Sequence, residues 1–130
     1  MSDNKHIVRD FYDALAALPS SSTAIAELLH TDCIWRIPGL ATHDGKQAIM
    51  DELILPFGQG MECVGVMELT HTIAEGDYVV AEGFARNRKT RSGIDYNNTY
   101  CTIFEIRKGK IHAVSEYCDT ALVRDVFGGA

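Results

Sequence analysis

The sequence predicts one α+β domain, in which about three helices are followed by a mainly antiparallel sheet and a short C-terminal helix. In the N-terminal half, apolar residues recur at helical spacing. From residue 62 onward, the chain is rich in β-branched and aromatic residues and is punctuated by turn signals. Helices that precede a run of hairpins pack on one face of the sheet. No repeat or linker divides the 130 residues, so we predict a single domain over 1–130.

The first helix is predicted by an apolar stripe whose members are four, four and three residues apart: Ile7, Phe11, Leu15 and Leu18. Ser2 or Asp3 is expected to cap its start. Pro19 and the serines after it are expected to end it.

Two further helices are expected around a short strand. The second helix carries the apolar residues Ile25, Leu28 and Leu29. The segment 33–39 then reads as a strand that a turn breaks. The third helix is expected to begin at Thr42 or Asp44 and to end at Pro56 and Gly58.

The rest of the chain predicts a meander of strands joined by hairpins. Turn signals at Gly76, Gly93 and Gly109 separate the strand segments, which are 62–74, 78–88, 94–106 and 110–118. Asp119 is expected to cap a last helix over 120–127.

Composition excludes several classes of partner. The net charge of −6 disfavours nucleic acid, and the basic stretches 86–91 and 107–110 read as polar hairpin ends. No apolar run is long enough to span a bilayer, and the N-terminus does not resemble a signal peptide, so we expect a cytoplasmic protein that does not bind membranes. The four cysteines are scattered singly, as reduced thiols would be.

The order of these elements resembles the nuclear transport factor 2-like superfamily, and within it the SnoaL-like polyketide cyclases. The similarity is carried by Trp35-Arg36-Ile37-Pro38-Gly39, Tyr96-Asn97-Asn98-Thr99-Tyr100, Gly109-Lys110-Ile111 and Glu116-Tyr117-Cys118-Asp119. The resemblance implies a cone-shaped roll whose curved sheet and helices enclose one pocket. It also implies a homodimer formed through the sheet, for which Tyr78, Val80 and Phe84 are candidates.

Strand alternation predicts which side chains line that pocket, because neighbours point to opposite faces. One face of the third predicted strand carries Asn98, Tyr100, Thr102 and Phe104, and one face of the last strand carries His112, Val114, Glu116 and Cys118. If these faces look inward, burial raises the pKa of Glu116 and suits it to act as a general acid or base. The alternative is an exposed glutamate on the outer face. The small residues of strand 78–88, Val79, Ala81, Gly83 and Ala85, would either leave room for a ligand or pack closely against helices.

Two mechanisms known among relatives are disfavoured by single positions. Limonene epoxide hydrolases need an Arg-x-Asp pair on the middle strand, which falls here on Gly83 and Ala85. Ketosteroid isomerases need a carboxylate base before the proline of the first strand, and Ile37 occupies that position. These positions place fewer constraints on a cyclase that uses acid/base chemistry without a cofactor.

We therefore predict that the domain binds a small, largely apolar organic molecule, with cofactor-free chemistry of the cyclase or isomerase type. The predicted catalytic residues are Glu116 and Tyr100, and the predicted ligand-binding residues are Tyr12, Trp35, Arg36, His43, Asn98 and Cys118. Tyr12 and Trp35 could instead be core residues, and His43 could be a solvated loop residue. Arg36 could hold either a ligand's carboxylate or Glu116 itself. The histidines lack metal-binding spacing, so neither a metal nor a cofactor is expected. The alternative function is a non-catalytic binding or association module.

Overall fold

The computed structural model describes residues 4–128. Two helices lead the chain, α1 (Asn4–Ala16) and α2 (Ser22–Leu28). A third helical stretch runs unbroken over 46–60, as α3 (Lys46–Ala48), a π-helical segment (Ile49–Ile54) and α4 (Leu55–Gly60). The C-terminal helix is α5 (Thr120–Phe127).

One large sheet forms the second layer, which confirms the α+β prediction. Its strands are β1 (Leu29–Ile37), β2 (Ala41–Asp44), β4 (Val66–Glu75), β5 (Tyr78–Arg86), β7 (Thr99–Arg107) and β8 (Lys110–Cys118), in the order β2-β1-β8-β7-β5-β4. All neighbours are antiparallel except β1 and β8. The short strands β3 (Met61–Cys63) and β6 (Lys89–Thr90) form a separate pair.

Irregular pairing bends this sheet, because an extra residue in one strand kinks it and increases its twist. The register shifts between β1 and β8, between Leu69 and His71 in β4, and between Glu105 and Ile106 in β7. Near the β4 shift the backbones approach closely, since a Cβ on Gly83 would lie 2.2 Å from the carbonyl oxygen of Glu68. The bent sheet turns a concave face toward the helices.

The core lies between that concave face and α1. Phe11 of α1 has its ring centroid 5.6 Å from Trp35 and 5.9 Å from Phe104. Val79 and Ala81 are fully buried beside them, and burial alternates along β5 as the sequence predicted for the segment 78–88. Of the two interpretations of these small residues, close packing is the one that the structure supports, because Val79 and Ala81 belong to the core.

The third helical stretch differs from its predicted bounds. Thr42 and Asp44 belong to β2, and the helix begins after Gly45, whose φ of +102° turns the chain. Pro56 does not end the helix, because it lies in the first turn of α4, where a missing N–H costs least. Leu29 likewise opens β1 and is not part of α2.

The strand predictions need three corrections. The segment 62–74 is divided at Gly65, whose φ is +71°, and 94–98 precedes β7 and is not part of it. His112 does not share the inward face of β8, because it is the extra residue between Ile111 and Ala113 and instead stacks on His30. The predicted cap residues Ser2 and Asp3 lie outside the described residues.

Candidate active site

A cavity of about 340 Å³ lies between α1, the helical stretch 46–60, α5 and the concave face of β7 and β8. Most of its wall is aromatic or aliphatic, with Phe11, Leu53, Phe57 and Val123 from the helices. The polar groups on the wall are few: Tyr12, Glu52, Arg88, Tyr96, Tyr100, Thr102 and Glu116. An apolar cavity with a few convergent polar groups is the usual form of a small-molecule site.

Glu116 points into this cavity from β8. Trp35 on the neighbouring strand β1 donates a hydrogen bond from Nε1 to Oε1 of Glu116, at 2.9 Å. Burial raises the pKa of the Glu116 carboxyl above its ordinary value of 4.5, and the Trp35 hydrogen bond, Arg88 and His43 only partly oppose that rise. The carboxyl is thus oriented by one partner and keeps its proton to a higher pH than a solvated glutamate does.

Tyr100 lies on the same cavity wall, in a network at the start of β7. Arg88 donates a hydrogen bond from Nη1 to its hydroxyl, at 3.3 Å. Burial, and after it the proximity of Tyr96, raises the pKa of Tyr100 far above 10.0. Its hydroxyl therefore stays protonated, and Tyr96 beside it is a hydrogen-bond partner with which a bound molecule would compete.

Tyr12 reaches the cavity from α1, where it packs against both Phe11 and Phe104. Burial raises the pKa of its hydroxyl far above the ordinary value, which a hydrogen bond to Thr102 opposes in part. Tyr12 is a neutral polar group within an apolar wall.

Cys118 also lines the cavity, and its burial raises the pKa of the thiol to about 11. At neutral pH it is a protonated thiol, which is a poor nucleophile. All four cysteines are free.

Three predicted ligand-binding residues lie elsewhere. Arg36 points away from the cavity, because it follows the inward Trp35 on the same strand, and its Nη2 donates to Ser115 Oγ at 2.9 Å. His43 does not line the cavity, and its Nδ1 lies 2.9 Å from Oε1 of Glu52. Of the members of this pair, only Glu52 reaches the cavity.

Asn98 is the third, and its hydrogen-bonding capacity is already used. Its Nδ2 donates to the Tyr96 hydroxyl and to the carbonyl of Asp119, at 3.2 and 3.1 Å. Its Oδ1 accepts from the backbone N–H groups of Thr99 and Asp119. Asn98 therefore joins the start of α5 to β7 and does not line the cavity.

Three polar residues of the cavity wall were not predicted to line it: Glu52, Tyr96 and Arg88. Of these, Arg88 carries the permanent charge. It belongs to the basic stretch read as a polar hairpin end, yet it is only 3% exposed and lines the cavity. Strand alternation would place it with the outward Arg86, but Asn87 adopts a φ of +58° and redirects the chain. An asparagine between two arginines was the one local signal of such a turn, since Asn tolerates positive φ better than most residues.

Within residues 4–128, no three His, Cys, Asp or Glu side chains are grouped as metal ligands would be. No helix in that part of the chain combines the length and apolarity needed to cross a membrane.

The cone of helices on a bent sheet is the fold of the NTF2-like proteins. An NTF2-like protein of unknown function from Burkholderia pseudomallei K96243 matches with a TM-score of 0.81 and 19% identity, over 99% of this chain and 100% of that one. A proposed SnoaL-like polyketide cyclase from Shewanella putrefaciens CN-32 matches with a TM-score of 0.80 and 16% identity, over 100% and 99%. A proposed isomerase from Bacillus subtilis matches with a TM-score of 0.79 and 20% identity, over 96% and 92%.

The family is shown by the sequence itself. The model of the SnoaL-like domain matches residues 8–114, and the chain belongs to that family. This confirms the resemblance on which the fold prediction rested. A search of curated proteins finds no significant match.

Proposed function

We propose that this SnoaL-like domain binds a small, largely apolar organic molecule in the cavity and moves a proton on it with Glu116. The observation that carries the proposal is a carboxyl group in an apolar cavity, oriented by Trp35 and with a raised pKa. A carboxyl whose pKa approaches the working pH is an efficient general acid and base. The solved structures of a proposed polyketide cyclase and a proposed isomerase on the same fold are in keeping with such chemistry.

The reaction type that suits this site is enolisation without a cofactor. As a carboxylate, Glu116 would take a proton from a carbon beside a carbonyl group, and the electron pair of that C–H bond would move into an enolate. The Tyr100 hydroxyl would donate a hydrogen bond to the enolate oxygen. Glu116 would then return the proton to the same or another carbon, which is the pattern of an isomerase. Alternatively, the enolate carbon would attack a second carbonyl, and Glu116 would give the proton to the resulting alkoxide, which is the pattern of a cyclase.

Hydrogen–deuterium exchange into an enolisable ketone tests the proposal. A bicyclic ketone such as 2-tetralone is incubated with the protein in D₂O, and loss of its α-proton signal is followed by NMR. We expect exchange faster than in buffer, and we expect Glu116→Gln to slow it about 100-fold, the lower range for a general acid or base. Glu82→Gln is the matched control, because Glu82 lies on the exposed face of β5 and pairs with His71.

The alternative of a non-catalytic binding module has a distinct outcome. Trp35 is the only tryptophan and lies on the cavity wall, so its fluorescence reports whether the ketone binds. Binding without exchange above the buffer rate would favour the binding module. Exchange that Glu116→Gln leaves unchanged would refute the role of Glu116.

A further inference from the structure

Arg88 is held rigidly at the inner wall of the cavity. Its Nε donates to the carbonyl oxygen of Val64 at 2.6 Å, and its Nη1 donates to the hydroxyl of Tyr100 at 3.3 Å. The guanidinium carbon lies 4.9 Å from the ring centroid of Phe57, which places the charge over an aromatic face. The side chain is only 3% exposed, and these contacts fix the direction in which its remaining N–H groups point.

No carboxylate in the described part of the chain lies within 4.0 Å of Arg88, so its contacts are a carbonyl, a hydroxyl and a ring. A guanidinium keeps its charge at any ordinary pH, and a buried charge without a counter-ion is costly. Buried Arg and Lys are normally paired for this reason.

The two acidic residues on the cavity wall do not meet this need. Glu52 lies at the rim, where its side chain is 59% exposed and its partner is His43. Glu116 bonds to Trp35 and forms no ion pair with Arg88 within 4.0 Å; burial raises the pKa of its carboxyl, and the charge of Arg88 opposes that rise only in part. Arg88 is thus a fixed positive charge on the cavity wall that has no ion-pair partner within 4.0 Å among residues 4–128, which leaves it available to an anionic ligand.

We propose that the molecule bound in this cavity is a carboxylic acid, whose carboxylate pairs with Arg88 while its apolar body lies against Phe11, Leu53 and Phe57. This inference rests on the proposed function and narrows its ligand to one chemical class. Arginine suits the role, because its planar N–H groups match the two oxygens of a carboxylate. A cavity of about 340 Å³ accommodates a body of one or two rings.

A matched pair of probes tests the proposal: 2-naphthoate, and its uncharged analogue 2-naphthamide. Their dissociation constants are measured by titration calorimetry at pH 7. We expect the carboxylate to bind about tenfold or more tightly than the amide, as hydrogen bonds to charged groups exceed neutral ones. Arg88→Gln is expected to abolish that preference. Arg86→Gln is the matched control and should keep it, because Arg86 pairs with Glu68 on the exposed face.

A second variant covers the case in which Arg88→Gln fails to fold, which circular dichroism would show. Arg88→Lys keeps the charge but loses the fork geometry, so the preference should shrink without vanishing. Equal binding of the two probes to the unmodified protein would overturn the inference and leave the proposed function standing. Binding of neither probe would contradict both, and a preference that survives Arg88→Gln would show that another group holds the carboxylate.

Discussion

At the scale of single residues, the environment of Glu116 depends on neighbours that are distant in sequence. Trp35 lies on β1 and reaches it because β1 and β8 run parallel side by side. Arg88, from another segment of the chain, lowers the pKa of the Glu116 carboxyl and so opposes part of the rise that burial causes. The same side chain on the outer face of β8 would be an ordinary surface glutamate.

The raised pKa of Glu116 makes the stability of the protein depend on pH. Between pH 4.5 and the raised pKa, the folded state binds more protons than the unfolded state, so stability falls as pH rises through that window. Glu116→Gln removes the titrating group while keeping an oxygen that can accept from Trp35.

We therefore expect Glu116→Gln to gain stability relative to the unmodified protein as pH rises above 4.5, by at most about 1.4 kcal/mol per pH unit, the limit for one proton. Urea unfolding of both proteins at several pH values measures the difference. Below the ordinary pKa of glutamate, the difference in free energy of unfolding between the two proteins should not change with pH. The raised pKa would be contradicted if the free energy of unfolding of the unmodified protein increased relative to that of the variant as pH rises.

The residues of the site differ in how well the sequence predicted them. Strand parity correctly placed Tyr100, Thr102 and Glu116 on the inward face. It failed for His112, because a bulge adds a residue and reverses the alternation there. It failed for Arg88, because the chain turns at Asn87. The alternation of side chains between the two faces holds only within one uninterrupted strand. Bulges interrupt it, and they depend on strand pairing that a single segment does not encode.

At the scale of elements, α5 closes one side of the cavity. Val123 and Phe127 contribute to the wall, and Phe127 has its ring centroid 4.8 Å from that of Tyr96. The helix is anchored at its start, where the side chain of Asp119 accepts hydrogen bonds from the N–H groups of Ala121 and Leu122. This confirms the predicted cap, which needed only local sequence.

Removal of that cap should loosen α5. We expect Asp119→Ala to lower the free energy of unfolding by about 1 kcal/mol and to speed amide exchange over 120–127. Hydrogen exchange followed by mass spectrometry measures the local effect. Asp125→Ala is the control, because Asp125 is exposed on the same helix and does not cap it. Equal exchange in the two variants would show that Asn98, and not the cap, holds the helix.

At the scale of the whole molecule, the outer face of the sheet carries most of the exposed large apolar side chains. The strand register places Ile34, Val66, Ile73, Tyr78 and Tyr117 on this one face. Such a concentration of apolar surface is typical of an interaction site. We propose that a second copy of the chain covers this face, in agreement with the homodimer that the sequence analysis expected.

Size-exclusion chromatography with light scattering tests this proposal. We expect a dimer at micromolar concentration and a shift toward monomer in Tyr117→Lys, which replaces an exposed apolar side chain of this face with a charge. Ile94→Lys should remain dimeric, because Ile94 is similarly exposed but lies outside the large sheet. A monomeric unmodified protein would refute the dimer.

The architecture was the most predictable level, since helical spacing and β-rich segments already define an α+β chain. The cavity was less predictable, because its wall is assembled from helices, strands and a loop that meet only in the folded molecule. The 340 Å³ volume depends on how Phe57 and Phe127 pack, which no segment specifies by itself.

The proposed chemistry depends on a cavity carboxyl group whose pKa is raised, and NMR measures that pKa in solution. The side-chain ¹³C signals of ¹³C-labelled glutamate are followed from pH 3 to 9, with Glu116→Gln identifying the signal of Glu116. We predict a midpoint above the ordinary value of 4.5. A midpoint at or below that value would mean that Glu116 is solvated or ion-paired in solution, and the proposed acid/base role would be contradicted.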